Sequence, residues 1–414
     1  MGLFKRTKNN NKPLIRQIID LIPGHLLHHC IQKHQSDKGC SKYMTYDQLV
    51  ALSFGQLNRC QTLQDISTGI SVSETFIADL NLKQSPARST MGDGNKNRCY
   101  QVFEELYYRL MRYYEGVLRA KHRSTIIEEI KGKVVKINDS TTISLCLSLF
   151  NWAKFRTAKG GIKIHTCWDD ALMLPDIINI TEAKVNDIKG LAHRIFPGDT
   201  IIVEDRGYFD FRLMLARIEA GNYFVTRLKD NTLYESIIEL ELPEDKDQHI
   251  LKDEFIRLCG KRAQETGMLN VTLRRVVVYD EKNERTLEII TNNLEWSAAT
   301  VGQLYKKRWD IELFFKALKQ NLQVKTFVGT SENAVKSQIY IALICYLLLE
   351  LIRKSIAKTT HAFSNFCERI RICLLFYITL DYVCNHITQG ANRIKNSNLS
   401  LFDGKPPDLF SSNF

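Results

Sequence analysis

The sequence predicts a mixed α/β protein: an α/β core carrying a β-rich insertion, preceded by a helical N-terminal domain and followed by C-terminal helices. Three observations carry this expectation. Apolar residues recur at helical spacing over the first 130 positions. At Lys133 the pattern changes to β-branched runs separated by short helical stretches, and strand-like segments at about 229–294 then interrupt that alternation. At 414 residues the chain exceeds the roughly 250–300 at which one core stops growing, so several units are expected: 1–130, 131–330 and 331–414.

In the first unit, "LIRQIIDLIPGHLLHHCIQKH" and "MTYDQLVALSFGQLN" both show helical apolar periods, the first broken at Pro23 and Gly24. "NLKQSPARSTMGDGNKNR" reads as a loop; its Gly and Arg content suits a phosphate cradle, but a plain connection accounts for it more simply. A long helix is expected from about Cys99 to Lys121. His25, His28, His29 and His34 crowd around Cys30 at no recognised metal-ligand spacing, so they read as a polar helix edge.

The middle unit alternates. "KVVKINDSTTISL" predicts a buried strand ending at Asp139, and "GGIKIHTCWDD" and "LPDIINITEAK" the strands after it; "VNDIKGLAHRI" predicts a helix. "DTIIVEDRGYFDF" is a strand running into Asp205 and a turn at Gly207, followed by a helix near Phe211 to Ala220 and the strand "YFVTRL". Two acidic residues thus stand at strand ends. Each also has a simple local role available, as a turn cap at Asp139 or an Asx turn before Gly207. Asp169, Asp170 and Glu204 are rival acids, although Glu204 should face away from Asp205.

After the insertion, "LYKKRWDIELFFKALK" (304–319) predicts one amphipathic helix. Leu304, Ile311, Phe315, Leu318 and Leu322 form its core stripe, and Tyr305, Arg308, Glu312 and Lys319 form a polar line beside it. At 1.5 Å rise per residue, Arg308 and Lys319 lie roughly 6 and 10 Å along the axis from Glu312. An ordinary i,i+4 surface pair would account for Arg308 and Glu312 alone. Three carboxylates converging from separate elements would repel one another unless a cation sat among them, and a divalent ion that prefers oxygen ligands fits that need. Asp139, Asp205 and Glu312 are the candidates.

Composition narrows the partners. With 44% hydrophobic and 25% charged residues the chain is an ordinary globular protein, and its net charge of +11 favours a polyanion. Residues 1–133 hold 20 basic and 12 acidic residues, whereas 229–294 hold 10 and 14, so the surplus lies mainly in the N-terminal third. Nucleic acid fits this distribution better than a membrane does, and the helical N-terminal domain, 1–130, is the part expected to bind DNA. The longest apolar stretch, Ile339 to Ile352, contains Glu350 and falls short of the roughly 20 residues needed to span a bilayer, so it reads as a buried helix. Eleven scattered cysteines without a CxxC pair suggest neither disulfides nor zinc, and point to a reducing compartment.

These residues resemble a known family. Tyr, two residues, Arg, three residues, Glu, six residues, Lys is the signature of bacterial insertion-sequence DDE transposases, and Tyr305, Arg308, Glu312 and Lys319 match it at all four positions. Asp205, Gly207 and Tyr208 match the family's second-aspartate motif, and Asp139, Ser140 and Thr141 its first. "ARSTMGDGNKNR" and the terminal "LSLFDG" are similar to a subgroup whose N-terminal domain has no assigned role.

The resemblance implies a ribonuclease-H-like catalytic core with its β insertion between Asp205 and Glu312. It implies Mg²⁺ (two ions, with Mn²⁺ as a substitute) held by Asp139, Asp205 and Glu312, and DNA contacts from Tyr305, Arg308 and Lys319. Cleavage at transposon ends and strand transfer into target DNA would follow, performed by a homodimer or larger assembly on paired double-stranded ends in the bacterial cytoplasm, at the nucleoid when DNA-bound. A nuclease with the same core, or a catalytically silent DNA-binding descendant, stays open. One departure is that better-known relatives carry a Trp on the insertion to hold a flipped base, and "TLEIITNN" has none, so a base-flipping hairpin step is not implied here.

Overall fold

The computed structural model describes residues 12–120, 127–145, 150, 152–156, 159–191, 196–242, 249–322, 324, 326–356 and 362–384; the terminal "LSLFDG" lies outside them. The N-terminal third folds into helices α1 (Leu14–Ile19), α2 (Gly24–His34), α3 (Thr45–Asn58), α4 (Leu63–Ile70), α5 (Glu74–Asp79), α6 (Arg88–Asn97) and α7 (Gln101–Ala120). Pro23 caps the start of α2, where its missing N–H costs nothing. Thr62 caps α4, accepting from the Asp65 amide at 3.1 Å while Asp65 accepts from the Thr62 amide at 2.9 Å.

One expectation fails here: most of the glycine-rich "loop" is helix α6. Gly94 acts as a spacing residue rather than a turn, because a Cβ there would lie 2.7 Å from the Tyr43 ring. The neighbouring Asn95 is buried and accepts from Gln48 at 2.8 Å, and Arg98 just beyond the helix donates to Gln48 at 2.6 Å and to the Ser36 carbonyl at 3.0 Å. Close packing against α3, which local composition does not record, outweighs the low helix propensity of Gly92 and Gly94.

The strands are β1 (Val135–Leu145), β2 (Lys154–Arg156), β3 (Lys159–Asp169), β4 (Leu174–Glu182), β5 (Ile201–Glu204), β6 (Tyr223–Arg227), β7 (Tyr234–Glu239), β8 (Ile250–Leu258), β9 (Thr272–Asp280) and β10 (Arg285–Thr291). Five of them run in the order β4-β3-β1-β5-β6; β3 runs antiparallel to both β4 and β1, and β5 and β6 lie parallel to β1. This is the ribonuclease-H-like arrangement, with α8 (Asp187–Leu191) and α9 (Phe211–Glu219) in its crossovers. The insertion extends the same sheet: β10 pairs antiparallel with β6, and β9, β8 and β7 follow outward, with α10 (Lys261–Thr266) between β8 and β9.

β1 does not stop at Asp139 as expected. It continues to Leu145 because Ser140 through Leu145 stay in register with β3, from Ser140 opposite His165 to Leu145 opposite Gly160.

The remaining helices are α11 (Ala298–Lys306), α12 (Arg308–Lys316), α13 (Glu332–Ser355) and α14 (Phe363–Cys373). α13 is long and apolar enough to cross a membrane, yet 94% of its apolar window is buried inside the protein, where it packs on α3 and α7. One buried apolar cluster joins α1–α7, the sheet, α12 and α13; a smaller one, including Phe209, Phe224, Ile256 and Leu273, underlies the insertion. The described cysteines are all free.

Candidate active site

Strand register sets the two aspartates side by side. On the parallel pair β1/β5, Asn138 lies opposite Glu204, so Asp139 and Asp205, each one residue further on, are neighbours. Side chains alternate across a sheet, which separates the two pairs of residues by face. Asn138 donates to Glu204 at 2.6 Å and Arg217 of α9 donates to the same carboxylate at 3.0 Å, all three buried. Burial pushes the Glu204 carboxyl up while Arg217 and Asn138 pull it down, with burial the stronger. Glu204 is thereby committed to the α9 face, and the rival Asp169 and Asp170 are committed to Lys136 (2.8 Å) and Lys307 (2.9 Å).

The opposite face carries the cluster. Asp139 accepts from the Ser140 amide at 2.7 Å, and Asp205 turns the chain by accepting from the Gly207 amide at 2.8 Å. Arg308, at the first position of α12, reaches Glu312 Oε1 at 2.5 Å and Asp139 Oδ2 at 3.5 Å with one terminal nitrogen, Nη1. Its Nε is buried without a hydrogen-bond partner. Tyr305 is buried, with the Arg308 guanidinium carbon 5.7 Å from its ring centroid, and its hydroxyl ionises less readily than usual, through burial first.

Electrostatics shows a shortage of positive charge. The Asp139 carboxyl is pushed up to about 7, by burial first and then by Asp205 and Glu312; the Ser140 amide and Arg308 offset this only in part. The surrounding acids also act on Tyr208, a buried residue whose hydroxyl has no partner and whose ionisation is suppressed by burial and by Asp139, Asp187, Glu204 and Asp205. Among the described residues no group of three or more His, Cys, Asp or Glu side chains is closed around a metal-sized space. The donors nevertheless suit a hard divalent ion in type: carboxylate oxygens on converging elements, with a guanidinium spanning two of them.

The helix that bears Glu312 departs from expectation. The five stripe residues are buried as anticipated, but the predicted single helix is broken at Lys307, whose amide is shared between the Gln303 and Leu304 carbonyls at 3.2 and 3.1 Å. It then passes after Lys316 into a π-helical turn, Ala317–Asn321, that keeps Ala317 and Leu318 buried. Lys319 sits half-buried in that turn, so the wider turn, rather than a straight 3.6-residue helix, sets its direction.

Sequence reasoning missed Asp187. At the start of α8 it accepts from the Ser140 hydroxyl, pairs with Lys163 at 3.1 Å and lies 3.9 Å from the buried His165 Nδ1, tying the residue after Asp139 to a second element. The only sequence signal is that Ser140 directly follows Asp139. The four histidines form a polar edge of α2 and, among the described residues, belong to no metal-ligating group.

Comparison with known proteins identifies the family. The Transposase DDE domain family matches residues 130–348, and a domain of unknown function, DUF4372, matches residues 10–76. A protein of Sinorhizobium fredii named as transposase y4zB is 30% identical over 293 residues, covering 70% of this chain and 78% of that protein. A Geobacillus stearothermophilus protein named as a transposase for insertion sequence element IS5377 is 29% identical over 281 residues, 67% of this chain and 73% of that protein. The piggyBac transposase, solved as a synaptic complex with hairpin DNA, aligns over 98% of this chain and 89% of its own at a TM-score of 0.38 and 12% identity. The family match spans more than half of the chain, from just before β1 into α13, and takes in Asp139, Asp205 and Glu312: the chain belongs to the DDE transposases of bacterial insertion sequences.

Proposed function

We propose that this transposase binds the ends of its own element, cleaves them by metal-dependent phosphodiester hydrolysis and joins them to target DNA, with Asp139, Asp205 and Glu312 as its catalytic carboxylates. The observation that carries this reading is the sharing of one guanidinium by Asp139 of β1 and Glu312 of α12, with Asp205 at the end of β5 close enough for its charge to raise the Asp139 carboxyl. They would hold two Mg²⁺ ions, for which Mn²⁺ would substitute. Bound there, such ions activate the attacking oxygen and stabilise the leaving one. Arg308 has a planar fork suited to a phosphate and turns from Glu312 to the DNA backbone when that backbone arrives. Lys319 holds a second phosphate as a point charge. Tyr305, stacked beside Arg308 and near Asp205, donates a hydrogen bond to the reacting strand. Two copies act on paired ends.

The test is incubation of purified protein, Mg²⁺ and DNA carrying the native element ends, with products resolved on a denaturing gel. Wild type should cut at the element boundary and join ends to target. Asp139→Ala, Asp205→Ala and Glu312→Ala should each abolish cutting while leaving DNA binding nearly intact, since carboxylates repel phosphate. A variant that cuts at the wild-type rate removes its residue from the site. Cutting without joining, at sites unrelated to the ends, would mark a nuclease, and wild-type binding without cutting a silent descendant.

A further inference from the structure

We infer that the outer face shared by α2 and α7 binds a DNA phosphate backbone; this rests on the transposase reading and assigns a task to the N-terminal third. His25, His29 and Lys33 recur every four residues along α2 and meet Tyr113, Arg109 and Glu105, which recur every four residues in the reverse direction along α7. The His25 and Tyr113 ring centroids lie 6.0 Å apart, Arg109 Nη2 donates to His29 at 2.6 Å, and Glu105 takes Lys33 at 2.8 Å and His34 at 2.7 Å. From His25 to Lys33 the ladder is about 12 Å long. Measured along the duplex axis, that length takes in three to four phosphates of one strand, at a rise of roughly 3.4 Å each.

The charge on this face is one-sided. Its one acid, Glu105, is only 13% exposed; burial opposes its ionisation, but hydrogen bonds from Lys33, Arg109 and His34 hold its carboxyl down at about 2. The flanking acids point elsewhere: Glu104 accepts from Tyr340, and Glu115 pairs with Arg119. Lys33 is 57% exposed and Tyr113 54%, and Arg112 and His28 are exposed at the edges. Ammonium and guanidinium groups keep spare donors after one contact, and an exposed aromatic among cations suits a sugar–phosphate surface.

A second observation concerns Gly116. It lies inside the 20-residue α7, where glycine is a poorer helix former than alanine. A Cβ there would meet nothing within 4 Å, so no neighbour among the described residues requires it. One turn from Arg112 and Tyr113, it leaves bare backbone for a partner to approach. A second copy of the chain would oppose this face with the same positive surplus, whereas a polyanion complements it.

The test uses the full chain, because α7 shares its core with α13. Binding of a fluorescein-labelled duplex of about 30 base pairs is followed by anisotropy across a NaCl series for wild type, Lys33→Gln/Arg112→Gln, Tyr113→Ala, and the control Lys261→Gln on the exposed start of α10. The double variant should bind about tenfold more weakly, with a log K against log salt slope shallower by about two. Tyr113→Ala should weaken binding without changing the slope, and the control should match wild type. If the double variant melts early, Arg112→Gln alone carries the test, with a slope change of about one. An unchanged slope and affinity overturns the inference. So does a wild-type dimer that sedimentation shows to fall to monomer in the double variant while the slope is kept, since the face would then join two copies. Unchanged binding in a double variant that still cuts element ends sinks this inference alone; salt-dependent wild-type binding with no cutting sinks the transposase reading alone.

Discussion

Two groups of acids, one within the insertion's strands and one where β1 and β5 meet α12, are treated in opposite ways. In the insertion, buried Asp253 on β8 takes a two-pronged contact from Arg274 on β9, with Nε at 2.8 Å. Next to it, Glu254 accepts from Arg275, from Lys252 at 2.9 Å and from Ser236 at 2.6 Å, and Arg275 continues to Glu288 at 2.8 Å. Burial works against Glu254, but these donors outweigh it and hold its carboxyl below the usual range. Around β1, β5 and α12, Asp139 and Glu312 share one guanidinium, Asp205 adds its charge nearby, and the Asp139 carboxyl sits at about 7. One cluster is complete as folded; the other is short of positive charge, which is how groups are left when they serve a ligand rather than the fold.

The contrast predicts unequal costs of substitution. Arg274→Met strands the buried Asp253 charge and should destabilise the protein by about 3–5 kcal/mol. Asp139→Asn removes an acid that is already poorly tolerated and should leave stability within about 1 kcal/mol of wild type, or raise it. Urea unfolding of the two variants at neutral pH makes the comparison, and equal losses would erase it.

Arg308 offers a sharper cut. If it serves phosphate, Arg308→Lys keeps the charge and loses the fork, so single-turnover cleavage should fall on the order of tenfold to a hundredfold. Its melting should shift by no more than about 0.5 kcal/mol in stability, the worth of an i,i+4 pair. Lys319→Arg should be milder. Wild-type cleavage in Arg308→Lys would make the Arg308–Glu312 contact an ordinary salt bridge.

How much of this was legible in the sequence depends on the range of the interactions involved. The two aspartates could be read singly because the apolar run of each strand is local, and Glu312 because its spacing from Arg308 and from the apolar stripe is helical; that the aspartates are neighbours depends on the pairing of β1 with β5. The continuation of β1 past Asp139 depends on pairing with β3, and helix α6 depends on Tyr43 lying over Gly94; both are contacts between distant residues. The break at Lys307 and the π turn after Lys316 answer to packing of Ala317 and Leu318 that a regular period does not encode. The bond between Ser140 and Asp187 joins residues 47 apart and left no trace in either local pattern.

That bond frames an effect that appears only on acidification. His165, buried beside Asp187, has its pKa lowered to about 4, by burial first and by Lys163, with Asp187 opposing. Unfolded, it would titrate near 6.5. Between those values the unfolded chain binds the extra proton and the folded one does not, so stability from this group is present above about pH 6.5 and is lost as pH falls toward 4. Urea midpoints from pH 7 down to about 4 should fall less steeply in His165→Gln than in wild type, and parallel slopes would remove His165 from the account.

Divalent-cation binding by the carboxylates on β1, after β5 and on α12 is tested without requiring catalysis by titration calorimetry of Mn²⁺ into the DNA-free protein. Wild type should bind the ion saturably. Asp139→Asn and Glu312→Gln should each lose that binding, and Arg308→Ala should tighten it by withdrawing the competing guanidinium. Undiminished Mn²⁺ binding in both carboxamide variants would contradict the account.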